Sequence, residues 1–387
     1  MNTIPDSSNL NLSRAHHTAH LTARLAIAAA AGALLVGLPL AGVEMRGEPF
    51  AAYLEFPPRT RHVEHAGFSW LAFAVVAAGA IALAGTLAFV LIRAARDAPR
   101  TPPAARFPAW GWLGVALLLA GWGLSWTRFP WAAAIQPYTF SPPWFGYIVV
   151  VHALAFRRHG HCLMTARPGA FLLLFPLSAV FWWYFEYLNR FVQNWYYVGI
   201  AGLSASGYFW MATLAFSTVL PAVYGTYEAL TASAGPSLAR ATTVASAAPR
   251  PRPVAAAAML VCSGAGLAFL AVKPDLLFPV LWLAPLFLLV AARMFAGRPP
   301  LDAEPGESPL SRASRFAAAA LICGCVWELW NTYSLARWIY SVPYVNRFHL
   351  FEMPVLGYAG YLPFGVECAL IADLVLHPRV APPEPRV

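Results

Sequence analysis

The chain has 387 residues, 59% hydrophobic and 11% charged, with a formal net charge of +9. A soluble domain carries about a quarter charged residues, so this composition excludes a soluble cofactor enzyme and points to a polytopic membrane protein. Nucleic-acid binding is excluded as well. The positive charge is arginine in short loops between apolar runs, with Lys273 the one lysine, which is the distribution that orients membrane proteins.

About 20 apolar residues cross a bilayer as a helix, and on that measure the chain reads as an all-α transmembrane bundle of ten spans. Residues 1–22 form a cytoplasmic tail, whose His16, His17 and His20 belong to no ligand pattern. Residues 23–107 form a two-span hairpin, spans 23–43 and 67–93, with an outer loop at 44–66. The first run exceeds the roughly 7–15 residues of a secretory h-region and no small-x-small cleavage site follows, so it reads as a retained anchor. In the loop, Arg59 and Arg61 are candidate substrate-binding residues, because guanidinium groups bind phosphate or lipid headgroups. His62, Glu64 and His65 lack a further spaced ligand set, and no metal or cofactor is predicted.

Spans at 108–126, 141–156, 168–188 and 205–230 make a four-helix unit over 108–230. Pro142-Pro143 suits the first turn of its second helix, where no amide donor is needed. His152 lies inside that helix; the reading is a histidine satisfied by backbone, with proton exchange with a glutamate as the alternative. An Ala-, Ser- and Pro-rich linker, 231–253, leads to a second unit over 254–376. Its spans are 254–272, 275–294, 315–336 and 354–376, with Lys273-Pro274-Asp275 as a tight hairpin and 377–387 as a tail. With the N-terminus inside, 18 basic residues fall on the cytoplasmic side and 8 on the other, so both termini are expected in the cytoplasm.

The two units share a pattern. Phe185-Glu186-Tyr187-Leu188-Asn189, Trp195-Tyr196-Tyr197-Val198, Pro221 and Glu228 recur as Trp327-Glu328-Leu329-Trp330-Asn331, Trp338-Ile339-Tyr340-Ser341, Pro363 and Glu367. Phe140-x-x-x-Trp144 likewise parallels Phe278-x-x-x-Trp282. The reading is a parallel duplication about an axis along the membrane normal.

An ionisable residue at a span centre costs on the order of 3 kcal/mol, so it faces a bundle interior or a wet cavity. Glu186/Asn189 and Glu328/Asn331 are spaced i, i+3, which puts carboxylate and amide on one helix face. These four residues are the candidate catalytic groups, with Glu367, about 13 residues into the last span, as a further acid. Glu228 falls near a span end, where a solvated role is expected. The structural alternative for the Glu and Asn pairs is hydrogen bonding between helices. Trp327, Trp330, Trp338 and Tyr340 read first as an interfacial belt and second as the wall of a substrate pocket. Cys162, Cys262, Cys323, Cys325 and Cys368 have no metal or redox spacing, and no disulfide is expected.

The run from Tyr53 to His65, the stretch Pro137-Tyr138-Thr139-Phe140, and Trp183 to Tyr197 are similar to a family of bacterial polytopic membrane proteins that brings no activity with it. More distantly, acid–Asn–aromatic, then Trp-x-Tyr, then Pro followed by Glu resembles the membrane-embedded lycopene cyclases, which use repeated short helical units and carboxylates to protonate a polyene. Two features depart from that pattern. Two residues separate acid from Asn, and Pro363 is followed by one Glu four positions on instead of a close pair.

The expectation is an inner (cytoplasmic) membrane protein of bacteria acting on a membrane lipid or isoprenoid. Glu328 would be proton donor or acceptor, Asn331 its orienter and Glu367 a second acid. The rival is a transporter or scaffold whose repeats pack through the same polar pairs.

Overall fold

The computed structural model describes residues 32–58, 60–97, 103–231, 252–302 and 307–376. Arg59, the N-terminal tail with its histidines, most of the linker and the C-terminal tail lie outside them. The described chain is mostly helical, and seven helical stretches are long and apolar enough to cross a membrane. These are Trp70–Arg96, Ala109–Trp126, Gln136–His159, Pro168–Val192, Ala205–Leu230, Pro309–Asn331 and Val355–Leu376. Gly32–Met45, Pro253–Phe269 and Val280–Phe295 are shorter apolar helices.

The elements are α1 (Gly32–Met45), α2 (Ala51–Leu54), α3 (Trp70–Asp97), α4 (Ala109–Trp126), α5 (Ser141–His159), α6 (Leu163–Ala166) and α7 (Pro168–Val192). Strand β1 (Trp195–Val198) precedes α8 (Ala205–Phe216) and α9 (Val219–Leu230). After the linker come α10 (Pro253–Phe269), α11 (Pro274–Leu277), α12 (Val280–Phe295) and α13 (Pro309–Asn331). The chain ends with β2 (Arg337–Tyr340), β3 (His349–Leu350), β4 (Met353–Pro354) and α14 (Tyr361–Leu376).

Small residues set the tightest helix contacts, as expected where apolar burial cannot drive association in lipid. Gly111, Gly114 and Gly121 on α4 meet Ala153, Val149 and Pro143 of α5, and Gly146 of α5 meets the Leu118 backbone in return. On the other side, Gly365 of α14 lies against the Phe316 carbonyl of α13. The same seam holds a buried ion pair: Arg312 donates to both Asp373 carboxyl oxygens at 2.8 and 2.6 Å. At the break between α8 and α9, Pro221, in the first turn of α9, has no amide to continue the helical ladder. Ser178 of α7 bridges the break, donating to Phe216 O and accepting from Leu220 N.

Two findings correct the sequence reading. The chain is not purely α: β1 pairs antiparallel with β2, and β3 with β4. The Trp-Tyr-Tyr-Val and Arg-Trp-Ile-Tyr runs are rich in the aromatic and β-branched residues that strands favour, yet each is four residues long with its partner in the other half of the sequence. The expected tight hairpin at 273–275 is instead a short helix, started by Pro274 and held at its first turn by Asp275, which accepts from Ala66 N and lies 2.7 Å from His65.

The β1–β2 register sets Trp195 opposite Tyr340, Tyr196 opposite Ile339 and Tyr197 opposite Trp338. Around this pair, basic residues separate to two ends of the bundle. Arg46, Arg61, Arg190 and Lys273 line one cavity, whereas Arg158 and Arg167 bond to the carbonyls of Ala229 and Leu376.

Candidate functional site

Asn189, in the last turn of α7, and Asn331, the last residue of α13, bond alike to the strand that follows. Asn189 Nδ2 donates to Trp195 O at 2.8 Å, while its Oδ1 accepts from the amides of Asn194 and Trp195. Asn331 Nδ2 donates to Trp338 O at 2.8 Å and its Oδ1 accepts from Trp338 N at 2.9 Å. Each amide thus takes the place of a neighbouring strand on the outer edge of β1 or β2. Neither touches its carboxylate. Asn331 orients Glu328 only indirectly, by fixing the strand that carries Tyr340.

The carboxylates receive the side chains of those strands. Glu186 Oε1 accepts from Trp182 Nε1 (3.2 Å), Trp195 Nε1 (3.0 Å) and Tyr197 OH (2.6 Å). Glu328 Oε1 accepts from Tyr340 OH (2.7 Å) and Tyr361 OH (3.2 Å), and Trp338 Nε1 donates to the Tyr340 hydroxyl. Glu186, Asn189, Glu328 and Asn331 are all 0% exposed. The second oxygen of each glutamate, Oε2, reaches no hydrogen-bond partner among the described residues. Burying such an oxygen without a partner costs about 1–3 kcal/mol.

The donors to both acids converge on one cavity of about 100 Å³. Trp182, Trp195, Tyr197, Trp338, Tyr340 and Tyr361 line it, together with Trp282, Trp327, Tyr208 and aliphatic groups. Trp327, Trp338 and Tyr340, expected at a pocket, are there. Trp330 is not: its ring packs on Trp144 and Trp122 instead. Tyr361 is a residue the sequence reading missed. The available signal was Gly324, one turn before Glu328, whose missing side chain leaves room for the Tyr361 ring.

Glu367 is not brought to Glu328. It is fully buried, neither carboxyl oxygen has a hydrogen-bond partner among the described residues, and its polar neighbour is the backbone of Leu286 on α12. Glu228 is not simply solvated either: Leu163 N donates to both its oxygens at 3.0 and 3.1 Å. His152 is held by the backbone and lies near a glutamate without a hydrogen bond to it. Its Nδ1 donates to Ile148 O at 2.8 Å, and Nε2 stands 3.7 Å from Glu228.

Arg61 lies in a second, polar cavity of about 1010 Å³, with Arg46, Arg190, Lys273, Glu48, Glu55, Glu64 and Asp275. Arg190 donates to Ala52 O there, and Arg46 is paired with Glu48. Burial, together with a hydrogen bond to Glu48, pushes the Tyr53 hydroxyl up to about 12. The outer loop crosses from this cavity over β1–β2. His62 packs edge-on to Tyr196, and Ser341 Oγ donates to Val63 O. Among the described residues, no three His, Cys, Asp or Glu side chains group as metal ligands, and the five cysteines are free thiols.

Comparison with protein-family models, with curated proteins and with solved structures finds no match to this chain.

Proposed function

We propose that the protein is a multi-pass enzyme of the inner membrane that modifies a lipid or isoprenoid in the aromatic cavity, using intramembrane glutamate acid–base chemistry. One observation carries this reading: the hydrogen-bond donors to Glu186 and to Glu328, from opposite halves of the sequence, line a single cavity. Glu328 is the proton donor or acceptor. Its two phenol partners, Tyr340 and Tyr361, both reach the cavity, so a proton moving between acid and substrate crosses at a hydroxyl. Indole N–H groups supply two of the three bonds to Glu186. They do not exchange protons readily, which suits Glu186 to a fixed electrostatic role.

The proposal includes ten spans, both termini in the cytoplasm, and a duplicated four-helix unit. The strand register supports the duplication. The offset that places Trp195 on Trp338 also places Tyr196 on Ile339 and Tyr197 on Tyr340. The antiparallel pairing then sets Tyr196 against its own counterpart and exchanges the flanking Trp and Tyr, as a twofold axis through that pair requires. The matching Asn189 and Asn331 bonds to Trp195 and Trp338 follow the same symmetry.

A comparative mass-spectrometric profile of total lipids tests the function. A deletion strain is complemented with the wild-type chain or with Glu328→Gln. A species that disappears or accumulates on deletion, and is restored by wild type alone, is the expected result. An unchanged profile, or full rescue by Glu328→Gln at normal expression, overturns it. The transporter or scaffold reading has one observation in its favour, the complete burial of both Glu/Asn pairs at the seam between halves. It predicts the unchanged profile.

A further inference from the structure

Six residues of the cavity wall turn their polar hydrogens away from it. The N–H or O–H groups of Trp182, Trp195, Tyr197, Trp338, Tyr340 and Tyr361 are all engaged by the two carboxylates or by one another. What these six residues leave for an occupant is π surface and oxygen lone pairs. Aromatic faces attract positive charge, and a phenol donating to a carboxylate becomes more electron-rich. Immediately behind this wall stand two buried acids, each with an oxygen that has no partner among the described residues. No described Lys or Arg lines the cavity. Arg190 lies within electrostatic reach of Glu186, but its guanidinium is bonded to Ala52 O and lines the other cavity. Two acids without a counter-ion in the pocket beside them are the arrangement that a bound cation relieves.

We propose that this aromatic cavity is a receptor for a small organic cation of the trimethylammonium type, held by cation–π contacts with Glu186 and Glu328 as distant counter-charges. Size is consistent. The cavity of about 100 Å³ compares with the ~150 Å³ of an apolar cavity that takes benzene, leaving room for a compact group of about five heavy atoms. The two buried carboxylates behind the wall disfavour a phosphate or carboxylate in the same space, although the Tyr208 hydroxyl, which also lines it, has no partner among the described residues. The inference goes beyond the proposed enzyme activity, because equilibrium binding requires no turnover.

The experiment uses the purified full chain and follows its tryptophan fluorescence. Choline and tetramethylammonium are titrated beside 3,3-dimethylbutanol, which has choline's shape with carbon in place of the charged nitrogen. Both cations should give a saturable change, and the neutral isostere should bind at least about tenfold more weakly. Glu186→Gln and Glu328→Gln should each weaken choline binding about tenfold and leave the isostere unchanged. Equal binding of choline and its isostere means a merely apolar pocket and overturns the proposal, as does no saturable change with either cation. Both of these outcomes are read on the unmutated chain, so a poorly folding variant does not obscure them. Nanodiscs then separate the sources. If phosphatidylcholine, but not phosphatidylglycerol, competes with choline, the cation is a lipid headgroup; if neither competes, it is a free amine. Failure here leaves the lipid-profile test unaffected, and the reverse also holds.

Discussion

At the level of single residues, the second acid site depends on a side chain that is absent. A β-carbon at Gly324 would overlap the Tyr361 ring, and Tyr361 is one of the two donors to Glu328. Gly324→Ala therefore forces the ring away and leaves a buried carboxyl oxygen with one donor. The expected loss is about 0.5–1.5 kcal/mol of stability, the usual net worth of one hydrogen bond. It should be read as a lower thermal midpoint of the detergent-solubilised protein. A double-mutant cycle decides the cause: in a Tyr361→Ala background the ring is gone, and Gly324→Ala should cost little more. An unchanged cost in that background would place the strain elsewhere. Arg312 and Asp373 give a second case. Both are buried and form a two-pronged pair across α13 and α14. Arg312→Leu should cost about 3–5 kcal/mol, because it leaves Asp373 charged and buried, whereas Arg312→Leu with Asp373→Leu should recover most of that loss. No recovery in the double variant would mean that packing, not charge, is what the pair supplies.

Among the elements, the helices were legible in the sequence and the strands were not. Within the described residues each expected apolar run overlaps an apolar helix, the first from Gly32 onward and the run at 205–230 as α8 and α9, since length and hydropathy are properties of the run itself. Val280–Phe295 and Pro253–Phe269 are shorter than the runs that announced them, because the connection between them folds as a helix at Pro274. Strands β1 and β2 are stabilised by one another and by Asn189 and Asn331, and no local window contains those partners. The acids and amides were recognisable by their repetition, yet their division of labour was not. An i, i+3 spacing puts Glu and Asn on one face but does not say that the amide turns to the backbone of the following strand. Asn331→Ala removes two such bonds, and a loss of about 2 kcal/mol follows from their usual worth. Because the strand carries Trp338 and Tyr340 to the cavity, the same change should also alter tryptophan emission. A stability loss with unchanged emission would show that the strand holds its place without the amide.

For the whole molecule, the two halves of the sequence meet where β1 pairs with β2, so the seam between them is also the wall of the cavity. That arrangement makes a geometric prediction at the centre of the register, where Tyr196 faces Ile339. Antiparallel partners stand about 4.5–5.5 Å apart between α-carbons, inside the ~4.4–6.8 Å range that a disulfide spans. Tyr196→Cys with Ile339→Cys should therefore cross-link on mild oxidation. If the chain is first cut within 232–251, the oxidised halves should run as one band on a non-reducing gel, and as two after reduction. Either cysteine alone should give two bands throughout. Halves that co-purify but never cross-link would mean that the helices hold the molecule together while the strands pair in another register. The two carboxylates would then not share a cavity, and both the acid–base and the cation-binding readings would lose their common ground.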